Sequence, residues 1–273
     1  MRYSETLMHK EILEQPGVLQ NMRARLAPEL LKIKEAFIGE GLTAITLASR
    51  GSSSHACRYF KYLSEIYCGI PCTIAAPGVY TVYNGKLKIR KNLCIGVSQS
   101  GMAADAICVL EKAAQEGSVT VAVTNDPESP MAKTARFHLF LDAKKEESVA
   151  ATKTFTAQIF ALLLLAQALS DDPALETAAQ NIPGGVAQVL SNTESIVALA
   201  EKLTGLTDAC FILGRGLNYA AALESGLKMQ ETTYIRAKAY AVTNFYHGPL
   251  AMVDETATVF LLMPKGETYR DVA

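Results

Sequence analysis

The sequence predicts an α/β protein: tandem three-layer αβα sandwiches, each built on a parallel sheet, the second cut short. Two observations carry this. The first is an internal repeat. ASRG (Ala48 to Gly51) follows a short apolar run and LGRG (Leu213 to Gly216) follows another. The offset of 165 residues that carries Arg50 onto Arg215 also carries Gly101, just after LCIGV, onto Gly266, just after VFLLM. A repeat of that length means two copies of one domain. The second is the texture of the strands. They are apolar throughout rather than alternating, and helical periodicity separates them, as expected of parallel strands covered on both faces.

Element by element, the first copy reads TAITLAS (Thr43 to Ser49) as a strand, then a helix from about Ser54 to Cys68. CTIAA (Cys72 to Ala76) is the next strand, and LCIGV (Leu93 to Val97) leads into a helix from about Ala104 to Glu116. VTVAV (Val119 to Val123) is followed by a turn containing Pro127 and Pro130, and HLFLD (His138 to Asp142) by a long helix from about Thr152. The boundaries expected are 1–175 for the first domain, with an N-terminal helical segment, and 176–273 for the second. By the same offset the second copy should run to about residue 334, so a truncated product is expected, shortened in its reading frame or by proteolysis.

Composition narrows the function. With 49% hydrophobic and 19% charged residues, 273 residues can bury a large core or two smaller ones. Net charge is −1 with no Lys/Arg block, which argues against nucleic-acid and anionic-membrane partners. The segment Phe155 to Leu169 is the most apolar, but it is too short to span a bilayer and contains two glutamines, so a buried core helix is expected. Cys57, Cys68, Cys72, Cys94, Cys108 and Cys210 form no CxxC and read as buried thiols in a reducing cytosol. No signal-peptide stretch opens the chain, and a cytoplasmic setting is expected.

Ligands of doubly wound sheets sit at the carboxyl ends of the strands. Gly51, Ser52, Ser53 and Ser54 follow the first strand, and Ser98, Gln99, Ser100 and Gly101 follow the third. Hydroxyls and unpaired N–H groups at a helix start suit a phosphate, although serine is also a favoured helix cap. A pair of such clusters at equivalent strand ends favours phosphate. GRGLNY (Gly214 to Tyr219) lacks the third glycine of a dinucleotide fingerprint, and no P-loop is present. The four histidines are scattered without HxH or HExxH spacing, so no metal or other cofactor is expected. In the second copy Glu224, Lys228 and Glu231 share one helix face by spacing. They are either a solvated ion-pair stripe or, with His247 in the loop beyond, an acid/base set.

The motifs together resemble the SIS (sugar isomerase) family: RGSS, SQSG, VAATK (Val149 to Lys153), LGRG, ALESGLKMQE and HGPLAMV, in order, over nearly the whole chain. The chain is similar to the isomerase half of glucosamine-6-phosphate synthases, entering at HKEILEQP, and more closely to type II glucosamine-6-phosphate deaminases. The resemblance implies flavodoxin-like sandwiches and a homodimer with a shared active site. It implies that Gly51, Ser52, Ser53, Ser98, Gln99, Ser100, Ala150 and Ala151 bind the phosphosugar. It makes Glu231 the base at C2, places Lys228 beside it, and gives ring opening to His247, supplied by the partner subunit. The sequence departs from the synthase pattern at Met102 and Ala103 after SQSG, at Ala151, and at Arg236 and Lys238. No cysteine follows Met1, so release of ammonia from glutamine is not expected. The synthase's lysine-bearing C-terminal tail also has no counterpart. The activity implied is deamination and isomerisation of glucosamine 6-phosphate. Deglycation of a sugar-phosphate–amine adduct and phosphosugar binding without turnover are the alternatives.

Overall fold

Strand and helix assignments follow from where apolar side chains can be covered. The computed structural model describes residues 3–86, 89–203, 205 and 209–273, in two compact units, Met1–Ala187 and Gln188–Ala273. The first unit opens with helices α1 (Leu7–Gln20) and α2 (Met22–Gly39). There follow β1 (Ala44–Ser49), α3 (Gly51–Leu63) extended by a π-helical turn to Cys68, β2 (Cys72–Ile74) and α4 (Gly78–Thr81). Next come β3 (Asn92–Val97), α5 (Ala104–Gln115), β4 (Val119–Thr124), α6 (Pro130–Thr134) and β5 (Phe137–Phe140). The long helix α7 (Lys153–Ser170) follows, and the first unit ends within α8 (Pro173–Ser191).

The five strands are all parallel in the order β2-β1-β3-β4-β5. β3 and β4 are buried at every residue, as their unbroken apolar runs require. On one face Ala106, Val109, Leu110 and Ala113 of α5 pack with Met131 over Ala48, Cys94 and Ala122. On the other, α7 packs against α1, α2 and α3. At 18 residues α7 is apolar and long enough to cross a bilayer, contrary to the sequence expectation. Its leucines Leu162 to Leu165 are nevertheless almost fully buried, so it serves as the unit's core helix.

The second unit contains α9 (Thr193–Lys202), β6 (Ala209–Gly214), α10 (Leu217–Thr233), β7 (Arg236–Ala241), α11 (Val242–Tyr246), β8 (Thr258–Leu261) and α12 (Tyr269–Val272). Its three parallel strands run β7-β6-β8, the pattern β2-β1-β3 over again. The repeat offset carries Ala44–Ser49 onto Ala209–Gly214 residue for residue. Cys210 and Ile212 pack with Ala222 of α10, while Leu213 faces the other way, onto Val242, Phe245 and Val272. The small sheet is thus covered on both faces.

The expected six buried thiols need correcting. Cys57, Cys72, Cys94 and Cys210 are buried, but Cys68 and Cys108 are only half-buried. Burial pushes the Cys57 and Cys94 thiols up to about 12.

Candidate functional site

In the order 2-1-3-4-5 the chain reverses direction across the sheet between β1 and β3, and this switch point is where such sheets bind ligands. β1 and β3 are paired in register, Ser49 opposite Val97, so Arg50 and Ser98 leave the sheet side by side. Both loops that carry the serines therefore open into the same crevice mouth.

Gly51 has φ of +53°, a turn that a residue with a Cβ rarely adopts. That single left-handed residue lets α3 begin at once, three residues earlier than the sequence suggests. Half-buried Ser52 and buried Ser53 consequently lie in the first helical turn and do not serve as its N-cap, the position occupied by Arg50. No side chain caps this helix start. Its first N–H groups and the positive end of its dipole lie at the carboxyl end of β1, an arrangement suited to an anion.

The second loop is fixed from within. Ser98 Oγ accepts from the Gly101 N–H at 3.1 Å, and Ser100 Oγ accepts from the Met102 N–H at 3.3 Å. Each hydroxyl keeps its own proton to donate. Backbone bonds tie the loop to the segment after β4: the Asn125 N–H donates to the Gln99 carbonyl at 2.9 Å, and the Met131 N–H to that of Gly101 at 3.2 Å. Arg50 forms an ion pair with Asp105 in the first turn of α5, Nε to Oδ2 at 2.9 Å, linking the two loops across the mouth. In the second unit the equivalent Arg215 also pairs with an aspartate, its Nε 3.0 Å from Asp271, which lies one residue beyond the offset equivalent of Asp105.

A third segment, 145–152, carries Ala150, which is buried, and Ala151, which is half-buried. It is held by charged groups. Glu146 accepts from the Thr152 N–H at 2.7 Å and from the Gln99 side-chain N–H at 3.2 Å. Glu11 of α1 accepts from the N–H groups of Glu147 and Ser148 and from the Ser148 hydroxyl. Lys153, 2% exposed, donates to Glu14 and to the Lys145 carbonyl, each at 2.7 Å. Burial by itself would raise the Glu11 carboxyl. The bonds from Ser148 and Glu147 and the charge of Lys153 outweigh it and hold the group below its ordinary value.

The remaining predicted residues lie in the second unit. On α10 Lys228 bridges Glu224, at 3.4 Å, and Glu231. Glu224 is buried and Glu231 exposed, so the stripe runs from core to surface. His247 stands apart at the C-terminal end of α11, with an exposed side chain. Among the described residues no group of His, Cys, Asp and Glu is arranged to hold a metal.

The chain matches the SIS domain family over residues 43–168 and 208–273 and belongs to it. An isomerizing glutamine–fructose-6-phosphate aminotransferase of Methanosarcina acetivorans is 34% identical over 97% of the chain. The chain spans only 45% of that relative's length. Two crystal structures share the fold closely. A presumed phosphosugar isomerase from Silicibacter pomeroyi is 31% identical with a TM-score of 0.89, over 98% of this chain and 81% of that one. The C-terminal domain of the glucosamine–fructose-6-phosphate aminotransferase of Francisella tularensis is 30% identical with a TM-score of 0.86, over 98% and 78%. A glucosamine-6-phosphate deaminase from Thermotoga maritima, 21% identical with a TM-score of 0.77 over 97% and 79%, shows the shared fold alone.

Sequence reading missed Arg50 with Asp105, Glu146, and the Glu11–Lys153–Glu14 cluster. Arg50, repeated at Arg215, was the accessible signal. The carboxylates of α1 gave none, because their partners lie more than a hundred residues away.

Proposed function

We propose that this chain binds an amino-sugar phosphate at the β1/β3 switch point and moves a proton at C2, converting glucosamine 6-phosphate to fructose 6-phosphate and ammonia. The observation that carries the reading is the pair of hydroxyl-bearing loops, Gly51 to Ser53 and Ser98 to Ser100, that leave adjacent in-register strands together. Uncapped helix N–H groups and outward-donating hydroxyls fit a phosphomonoester. Membership of the SIS family and the names of the relatives agree with a phosphosugar ligand.

In this reading Glu231 is the general base, Lys228 holds its carboxylate in place, and His247 opens the sugar ring, reaching the site from the partner subunit of a homodimer. Proton removal at C2 of the open-chain aldehyde, with O1 taking a proton, gives an enolamine. Reprotonation at C1 leaves an imine at C2, which water hydrolyses to the ketose and ammonia.

The test is incubation with glucosamine 6-phosphate, reading ammonia and fructose 6-phosphate. Glu231→Gln should abolish deuterium exchange at C2 even with an open-chain substrate analogue, whereas His247→Ala should be partly rescued by that analogue. Binding without ammonia release or C2 exchange would reduce the protein to a phosphosugar-binding module. Equal loss in both variants on both substrates would remove the ring-opening role from His247.

A further inference from the structure

Glu146 sits between two of the three loops that meet at the switch point. Its Oε1 accepts from the Thr152 N–H at 2.7 Å, the Thr152 hydroxyl at 2.8 Å and the Thr154 N–H at 3.5 Å. Its Oε2 accepts from the Thr154 hydroxyl and, at 3.2 Å, from Nε2 of Gln99. A carboxylate bonded in this way only accepts, so chemistry alone decides which end of the Gln99 carboxamide points at it: the nitrogen. The carbonyl oxygen is then the end left for a ligand, and among the described residues nothing donates to it. Two serine clusters and a helix start offer donors to a phosphate. Gln99, between two of those serines in sequence, offers an acceptor.

We infer that Glu146 is a positioning residue that locks the Gln99 carboxamide with its oxygen outward, so that the site demands a donor, a hydroxyl or ammonium, beside the phosphate it holds. This rests on the phosphosugar reading for its ligand, but the lock itself is a property of the free protein. Methyl phosphate at pH 8, well above its second pKa of about 6, has only acceptor oxygens and gains nothing from Gln99, whereas a sugar phosphate does. Glu146→Gln tests the lock with little change of shape. Its carboxamide keeps an oxygen for Thr152 and turns an N–H toward Gln99, and the Thr154 hydroxyl can accept as well as donate. Gln99 would then turn over and present its own N–H to the ligand.

The experiment uses the full chain as wild type, Glu146→Gln, Gln99→Met and the double variant. The Gln99 carboxamide signals are identified in nitrogen-15 NMR spectra by their loss in Gln99→Met. In the wild type they should sit away from those of exposed glutamines and move toward them in Glu146→Gln. Signals that do not move would overturn the lock. Calorimetry with glucosamine 6-phosphate should show about fivefold weaker binding for each single variant, the loss of about one hydrogen bond. The double variant should be no weaker than the weaker single, as for residues acting through one contact. Affinity for methyl phosphate at pH 8 should stay within about twofold throughout. Additive losses, or an equal loss for methyl phosphate, would show that Glu146 merely supports its loop. If the wild type bound neither compound, the phosphosugar reading would fall, and the NMR shift would still judge the lock.

Discussion

At the scale of single residues, two glycines of the switch point do different physical work. Both have positive φ, +53° at Gly51 and +65° at Gly101. A Cβ at Gly51 would meet nothing within 4 Å, while one at Gly101 would lie 2.2 Å from Ser129 Oγ and 2.4 Å from Ser129 Cβ. Ser129 cannot easily withdraw, because its hydroxyl donates to the Asp126 carbonyl at 2.7 Å and accepts from the Ala132 N–H, capping α6. Gly51→Ala should therefore cost only the left-handed strain, about 1–2 kcal/mol. Gly101→Ala should cost that plus overpacking of about 1–3 kcal/mol. Urea denaturation of the two variants checks the difference, and equal midpoints would show that Ser129 gives way freely. The serines themselves were legible in the sequence, since a hydroxyl cluster after an apolar run needs no distant partner to be noticed. Glu146 was not, because its meaning depends on Gln99, which only the fold brings within reach.

At the scale of elements, helix α1 acts as a clamp on the segment that precedes α7. Glu11 satisfies two backbone N–H groups and a hydroxyl there, and Glu14 neutralises the buried ammonium of Lys153. Removing a charged acceptor strands those donors, so Glu11→Ala should destabilise the first unit by about 2–3 kcal/mol at neutral pH. The pH dependence has a definite sign. The Glu11 carboxyl is held below its ordinary value in the folded protein. Its contribution is then complete above the unfolded value, about 4.3, and is lost as pH falls through the lower folded value. The gap in stability between wild type and Glu11→Ala should thus be full at pH 7 and shrink on acidification below about pH 4. Denaturation curves at both pH values measure it, and a gap that does not narrow would mean that Glu11 contributes only packing.

At the scale of the whole molecule, the two units differ in how deeply they bury their sheets. In the first, β3 and β4 are covered at every residue. In the second, the flanking strands β7 and β8 are mostly half-exposed, and the two clusters on either side of β6 are small. Local opening free energy follows buried apolar contact. Backbone amides of β7 and β8 should accordingly exchange with deuterium at least about tenfold faster than those of β3 and β4, a difference of about 1.4 kcal/mol in opening. Equal protection across both sheets would mean that something beyond the second unit's own core stabilises it.

Composition and periodicity by themselves determined the architecture. Short apolar runs set between helical stretches mark strands buried on both faces, and the fixed offset carries β1, β2 and β3 of the first copy onto β6, β7 and β8 of the second, and the left-handed Gly51 onto Gly216. Both signals are local or repetitive, so they survive in one dimension. The hydroxyl clusters were readable for the same reason. The start of α3 was misplaced by three residues because one left-handed glycine, not the serine run, sets where the helix begins. Only the tertiary structure decided which polar groups hold the switch-point loops in place: Arg50 with Asp105, Glu146 with Gln99, Glu11 and Glu14 around the segment leading into Lys153. These are pairings of charges and amides between residues far apart in sequence. Their energy depends on a distance and a degree of burial that exist only once the sheet has ordered its strands and α1 and α7 have packed together.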